Sequence, residues 1–141
     1  MLKKILVALD SSDLSELVVQ TLLQFQLQPK TEIIVAHVVF NAGNNPDIAA
    51  DRPQIETESI SHEALAKLQA YQAILPCKSE LEIVTGDPAE EITRLANIHK
   101  ADLIVIGSRG LTGMSRILQG SVSGQVAEEA HCSVLIVKPL I

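Results

Sequence analysis

LIVIGSRGLTGMSRILQGSVS, residues 103–123, is the stretch whose reading decides the fold. It opens on Leu103-Ile104-Val105-Ile106, an apolar run too short for a helix and rich in β-branched residues, which predicts a buried strand. The run stops at Gly107, and glycines then recur at Gly110, Gly113 and Gly120. Hydroxyls and cations lie among them: Ser108, Arg109, Thr112, Ser115, Arg116, Ser121 and Ser123. From Gly120 through Ala130 the pattern predicts a helix. A strand, a glycine-rich loop and a helix start together form an anion site, because free backbone N–H groups and the helix dipole point at the same place.

The spacing Gly107-x2-Gly110-x9-Gly120-Ser121 is not a P-loop, since no Gly-x4-Gly-Lys-Ser/Thr occurs in the chain. It is not the dinucleotide fingerprint either, because no Gly-x-Gly-x2-Gly follows a strand. It closely resembles the nucleotide-binding motif of the universal stress protein family, in its ATP-binding branch. In that family the first glycines wrap the ribose and phosphates, and the last glycine and following hydroxyls hold the phosphates. The resemblance therefore implies nucleotide contacts from Gly107, Gly110, Gly120, Ser121, Val122 and Ser123, with Arg109 in reach of phosphate. It also covers the whole chain and implies the strand order 3-2-1-4-5.

Away from this stretch the chain alternates between strands and helices. Ile5-Leu6-Val7-Ala8-Leu9 is an apolar first strand, followed by the turn Asp10-Ser11-Ser12-Asp13. Leu14, Leu17, Val18, Thr21, Leu22 and Phe25 recur at helical spacing up to Pro29. Ile33 to Val39 is a second strand, and the polar segment Asn41–Pro53, with two prolines and no periodicity, is a loop. Helical spacing resumes from Ile60 to Leu75, and Leu81-Glu82-Ile83-Val84 is a third strand. Gly86-Asp87-Pro88 turns the chain into a helix that Pro88 begins. Ser133 to Val137 is the fifth strand.

Five strands apolar on both sides, alternating with helices, specify an α/β fold with one doubly wound, five-stranded parallel sheet and helices on both faces. At 141 residues the chain fits a single domain, residues 1–141, with a sizeable core. Aromatics make up only 2%, so that core is aliphatic, and stacking on single-stranded nucleic acid has no platform. A net charge of -6 gives no basic face for a nucleic-acid backbone. No apolar run reaches membrane-spanning length, and the N-terminus carries no cleavage-like site, so a cytoplasmic protein is expected. Cys77 and Cys132 read as buried, reduced thiols.

Ligands of such sheets sit beyond the carboxyl ends of the strands where the strand order reverses. The first and fourth strands, ending at Asp10 and Gly107, flank that point. By resemblance Asp10 lies near the ribose and the metal-phosphate region; as a helix cap it would be redundant with Ser11, Ser12 and Asp13. The family's adenine pocket implicates Ala8 and Val38 by position, beside their plain core role. Gly86 is explained equally well as a turn glycine. Arg109 and Arg116 serve either as phosphate ligands or as solvated loop arginines. Core or capping roles account for His37, His62, His99 and His131, none of which pairs with another at ligand spacing. No Gly-x-Ser-x-Gly elbow exists to make the serines nucleophiles.

The function this implies is an ATP-binding stress-response regulator, a nucleotide-dependent switch holding ATP with Mg²⁺ or Mn²⁺ and hydrolysing it slowly at most. The resemblance also implies a homodimer through the last strand, whose Val134-Leu135-Ile136-Val137 edge is apolar. Two alternatives stand beside it. A phosphoacceptor receiver domain would use Asp10, Asp87, Ser108 and Lys138, but lacks an acidic pair after the first strand. A dimeric interaction module of the same fold would bind no nucleotide.

Overall fold

The computed structural model describes residues 3–9, 13–40, 62–108 and 116–138, and side chains within them except at positions 13, 14, 40 and 116–121. Nine elements follow one another among the described residues: β1 (Lys4–Ala8), α1 (Asp13–Leu23), β2 (Glu32–Phe40), α2 (His62–Ile74) and β3 (Lys78–Gly86). After these come α3 (Pro88–His99), β4 (Leu103–Gly107), α4 (Arg116–Glu129) and β5 (Ser133–Val137). The strands form one sheet in the order β3-β2-β1-β4-β5, and every pairing is parallel. Asn41–Pro53 lies outside the described residues.

Strand alternation divides the core into two layers. Ile5, Val7, Leu9, Ile33, Val35, Leu103 and Val105 face one side, where Val18, Val19 and Leu22 of α1 and Leu68 of α2 cover them. Leu6, Ala8, Ile34, Ala36, Ile104 and Ile106 face the other, against Ala89, Ile92, Leu95 and Ala96 of α3 and Val126 of α4. Helices on both faces are thus what the two-sided apolar strands require. All of β1 from Ile5 to Ala8 and all of β4 are buried.

Three features depart from expectation. β3 is not apolar on both sides: it is an outer strand that runs from Lys78 to Gly86, beyond Leu81–Val84 at both ends, and Lys78, Glu80, Ile83 and Thr85 are exposed. Charge along an outer strand discourages pairing with a second chain. Helix α4 begins at Arg116 rather than Gly120, because Arg116-Ile117-Leu118-Gln119 contains no helix breaker and three good helix formers. Cys77 and Cys132 are unpaired but only half-buried. Burial raises both thiols above the ordinary cysteine range, and the Asp102 charge adds to the effect at Cys132.

The amino-terminal rim of the sheet is closed by Asp102. Its Oδ2 accepts the backbone N–H of Lys3 at 2.9 Å and of Lys4 at 3.0 Å, while its own N–H donates to the Lys4 carbonyl at 2.7 Å. The Lys4 and Lys3 N–H groups hold the carboxyl below the usual aspartate range. A depressed folded value stabilises the fold above the unfolded pKa, and that contribution is lost as pH falls through the folded value. Asp102→Ala should therefore cost about 0.5–1 kcal/mol at pH 7, discounted for solvent exposure. Urea melts should show the gap from wild type narrowing progressively below about pH 4.

Candidate functional site

β1 feeds through α1 to β2 on one side, and the chain later crosses back through α3 to β4 on the other, so the winding reverses between β1 and β4. A crevice beyond the carboxyl ends of these two strands follows from that reversal. Ala8, the last residue of β1, is 3% exposed and stands in register with Ala36 of β2 and Ile106 of β4. Two alanines side by side thus replace the leucine and isoleucines that fill this face below them, at Leu6, Ile34 and Ile104. Val38 follows Ala36 by one alternation, is half-buried, and packs against the same layer, as does Val122 of α4. The structure therefore brings Ala8, Val38 and Val122 onto one face of the sheet.

Gly107 ends β4, buried and in register with Val137. Ser108 opens the glycine loop, and its two backbone groups are both engaged. Its N–H donates to the Val137 carbonyl at 2.8 Å, and its carbonyl accepts the Ser123 hydroxyl at 3.5 Å. Ser123 is buried at 6% exposure. The hydroxyl has one proton to give, so donating to Ser108 and donating to a phosphate are alternatives, and 3.5 Å is a weak bond. Gly120 and Ser121 fall in the second turn of α4 rather than at its first residue. Asp10, Arg109 and Gly110 lie outside the described residues.

One contributor escaped the sequence pattern. The Nδ1 of His37 lies 2.9 Å from the carbonyl oxygen of Leu9, and since a carbonyl only accepts, Nδ1 carries the proton. The Leu9 N–H donates to Ala36 at 2.9 Å, so both polar groups of the residue before Asp10 are fixed by β2. The signal was present as a lone polar residue inside an apolar strand. Its capping role holds, but the carbonyl it caps is at the site.

Asp87, which a receiver domain would phosphorylate, is the N-cap of α3. Its Oδ2 accepts the Glu90 N–H at 3.0 Å, and Pro88 occupies the first turn. Gly86 before it sits at φ 151°, and a Cβ there would come 3.1 Å from Glu91 Cγ, so the turn requires glycine. α3 ends as it should too, on Lys100 in the left-handed region at φ 57°, with the Ala101 N–H returning to Ala96 at 2.9 Å.

Fold and site together define a doubly wound α/β domain whose glycine loop leaves the strand at the reversal point. The description of the universal stress protein family matches residues 1–138, and the chain belongs to that family. Universal stress protein MJ0531 of Methanocaldococcus jannaschii is 47% identical over 76 residues, which are 54% of this chain and 45% of that protein. That match thus spans less than half the length of the relative. The solved structure of MJ0577, from the same organism, superposes with a TM-score of 0.83 at 29% identity, covering 100% of this chain and 99% of that one. A universal stress protein solved in complex with cAMP matches with a TM-score of 0.64 at 31% identity, covering 97% of each chain.

Replacing Asp87 with Ala removes an N-cap and should cost about 1 kcal/mol. Gly86→Ala should cost a similar amount through its backbone strain and the Glu91 contact. Chemical denaturation of each variant measures both.

Proposed function

We propose that residues 1–141 form one adenine-nucleotide-binding domain that acts as a regulatory switch. The observation that carries the reading is the β4 loop: Gly107 and Ser108 open it at the point where the winding reverses, and the Gly-x2-Gly-x9-Gly-Ser spacing continues into α4. The cAMP complex of a relative 31% identical over nearly the whole chain supports an adenine nucleotide as the ligand class. In this reading the base lies over Ala8 and Val38, where short side chains replace longer ones. The phosphates meet Gly107, Gly110, Gly120, Ser121, Val122 and Ser123. Asp10 reaches the ribose or a bound divalent ion, and Arg109 reaches phosphate.

ATP with Mg²⁺ or Mn²⁺ is the proposed physiological ligand, with Asp10 the side chain suited to such a hard cation among the site residues. The ion would neutralise phosphate charge in a chain that is itself acidic. His37, by fixing Leu9, holds the backbone from which Asp10 departs. The sequence offers no clear general base for water beside the glycine motif, and in this reading hydrolysis is slow at most. The proposed setting is cytoplasmic; no described helix is long and apolar enough to cross a membrane. The proposed assembly is a homodimer through the open edge of β5, where Val134, Leu135 and Ile136 are half-buried. Partner proteins would read the occupied state.

Calorimetric titration with ATP, with and without Mg²⁺, tests the reading. Wild type should bind one nucleotide per chain. Gly120→Val should abolish binding by obstructing the close approach of backbone to phosphate, while Ser123→Ala should weaken it less than tenfold, because that hydroxyl also has Ser108 as an acceptor. A folded wild type that binds neither ATP, ADP nor AMP would overturn it and leave the dimeric interaction module.

A further inference from the structure

On the flank of the sheet, two strands away from β1, Glu80 and Glu82 project from the same side of β3 toward the carboxyl-terminal end of α3. His99, the last residue of α3, meets them there. One carboxylate oxygen from each glutamate and one ring nitrogen of the histidine lie within 4.8 Å of one another. The closest approach is 3.1 Å, between His99 Nε2 and Glu82 Oε2, with the two side chains only 15% and 34% exposed. We infer that Glu80, Glu82 and His99 form a binding site for one divalent transition-metal ion of the Zn²⁺ class.

Two features argue for an ion beyond a plain pairing of His99 with Glu82. The pair needs one carboxylate, yet a second is brought to the same point, and the three side chains together are net negative whichever way His99 is protonated. The donors come from two separate elements, so the fold and not local sequence assembles them. Distances fit as well. Metal–ligand bonds of about 2.0–2.2 Å set neighbouring donor atoms roughly 2.8–3.6 Å apart in octahedral or tetrahedral geometry. The His99–Glu82 separation falls in that range. Glu80 is exposed, and a change of side-chain rotamer closes the remaining gap.

The donor set selects the class of metal. Imidazole nitrogen favours Zn²⁺, Ni²⁺ or Co²⁺ over Mg²⁺, and two carboxylates supply the remaining charge. Three protein ligands leave positions for water. When the ion binds, the Nε2 proton leaves that nitrogen, to Nδ1 from a neutral ring or to solvent from a doubly protonated one, and Nε2 becomes a ligand. The ion would bind α3 to β3 at the end of their unit opposite the Gly86-Asp87 turn. None of this depends on a nucleotide.

The test is titration of the nucleotide-free full chain with ZnCl₂ in a non-chelating buffer, followed by calorimetry and by thermal melting. One Zn²⁺ per chain should bind and raise Tm by several degrees, with Mg²⁺ at the same concentration giving no effect. Glu80→Gln and His99→Gln should each weaken binding at least tenfold, while His131→Gln leaves it unchanged. Glu80 is exposed, so its variant keeps the test valid even if His99→Gln disturbs folding. Absence of Zn²⁺ binding, or binding that neither variant alters, would overturn the site and leave the His99–Glu82 ion pair alone.

Discussion

Strand β1 is hydrogen-bonded along both edges, to β2 and to β4, and its side chains from Ile5 to Ala8 are all buried. The positions of the other elements follow from this constraint. A parallel strand with two neighbours and two covered faces needs a helix layer on each side, and the connections must leave it in opposite directions. A reversal of this kind leaves a crevice beyond the ends of β1 and β4, and β4 ends there on Gly107. Burial at the centre and binding at the rim are in this sense one arrangement. The rim residues Ala8 and Gly107 are buried themselves, so a change there acts on the core as well as on a ligand.

The outer elements are held by the core unequally. β3 has a single neighbouring strand and carries charge where β1 carries none. α2 has one buried residue, Leu68, and stands in contrast to α3, which buries five. α3 is also capped at both ends by its own sequence, Asp87 and Pro88 at the start and Lys100 at the finish. A helix fixed so firmly makes a sound anchor for the turn at its beginning and the histidine at its end.

The strands, their parallel arrangement and the start of α3 were legible in the sequence, because two-sided burial leaves unbroken apolar runs and Pro88 marks a first turn. The order of the strands came from the resemblance. What escaped was whatever depends on position in the sheet. Lys78 to Glu80 do not look like strand until β2 offers them a register, at Glu32 to Ile34. The sequence pattern predicts α4 from Gly120, yet the four residues before it are compatible with helix and begin it. At the site, Ala8, Val38, Gly107, Val122 and Ser123 were brought to one end of the sheet, but the bond from Ser123 to Ser108 and that from His37 to Leu9 join residues far apart in the chain. So does the approach of Glu80 and Glu82 to His99, which no local spacing announces.

The central claim is that the rim at the reversal of winding is where an adenine nucleotide binds. The most direct measurement is a backbone and methyl NMR titration of the uniformly labelled protein with ATP and AMP. The account predicts saturable shifts at Ala8, Val38, Gly107, Ser108, Val122 and Ser123, with little change at Asp102 and Cys132 on the opposite rim. Shifts confined to that opposite rim, or none at saturating nucleotide, would contradict it.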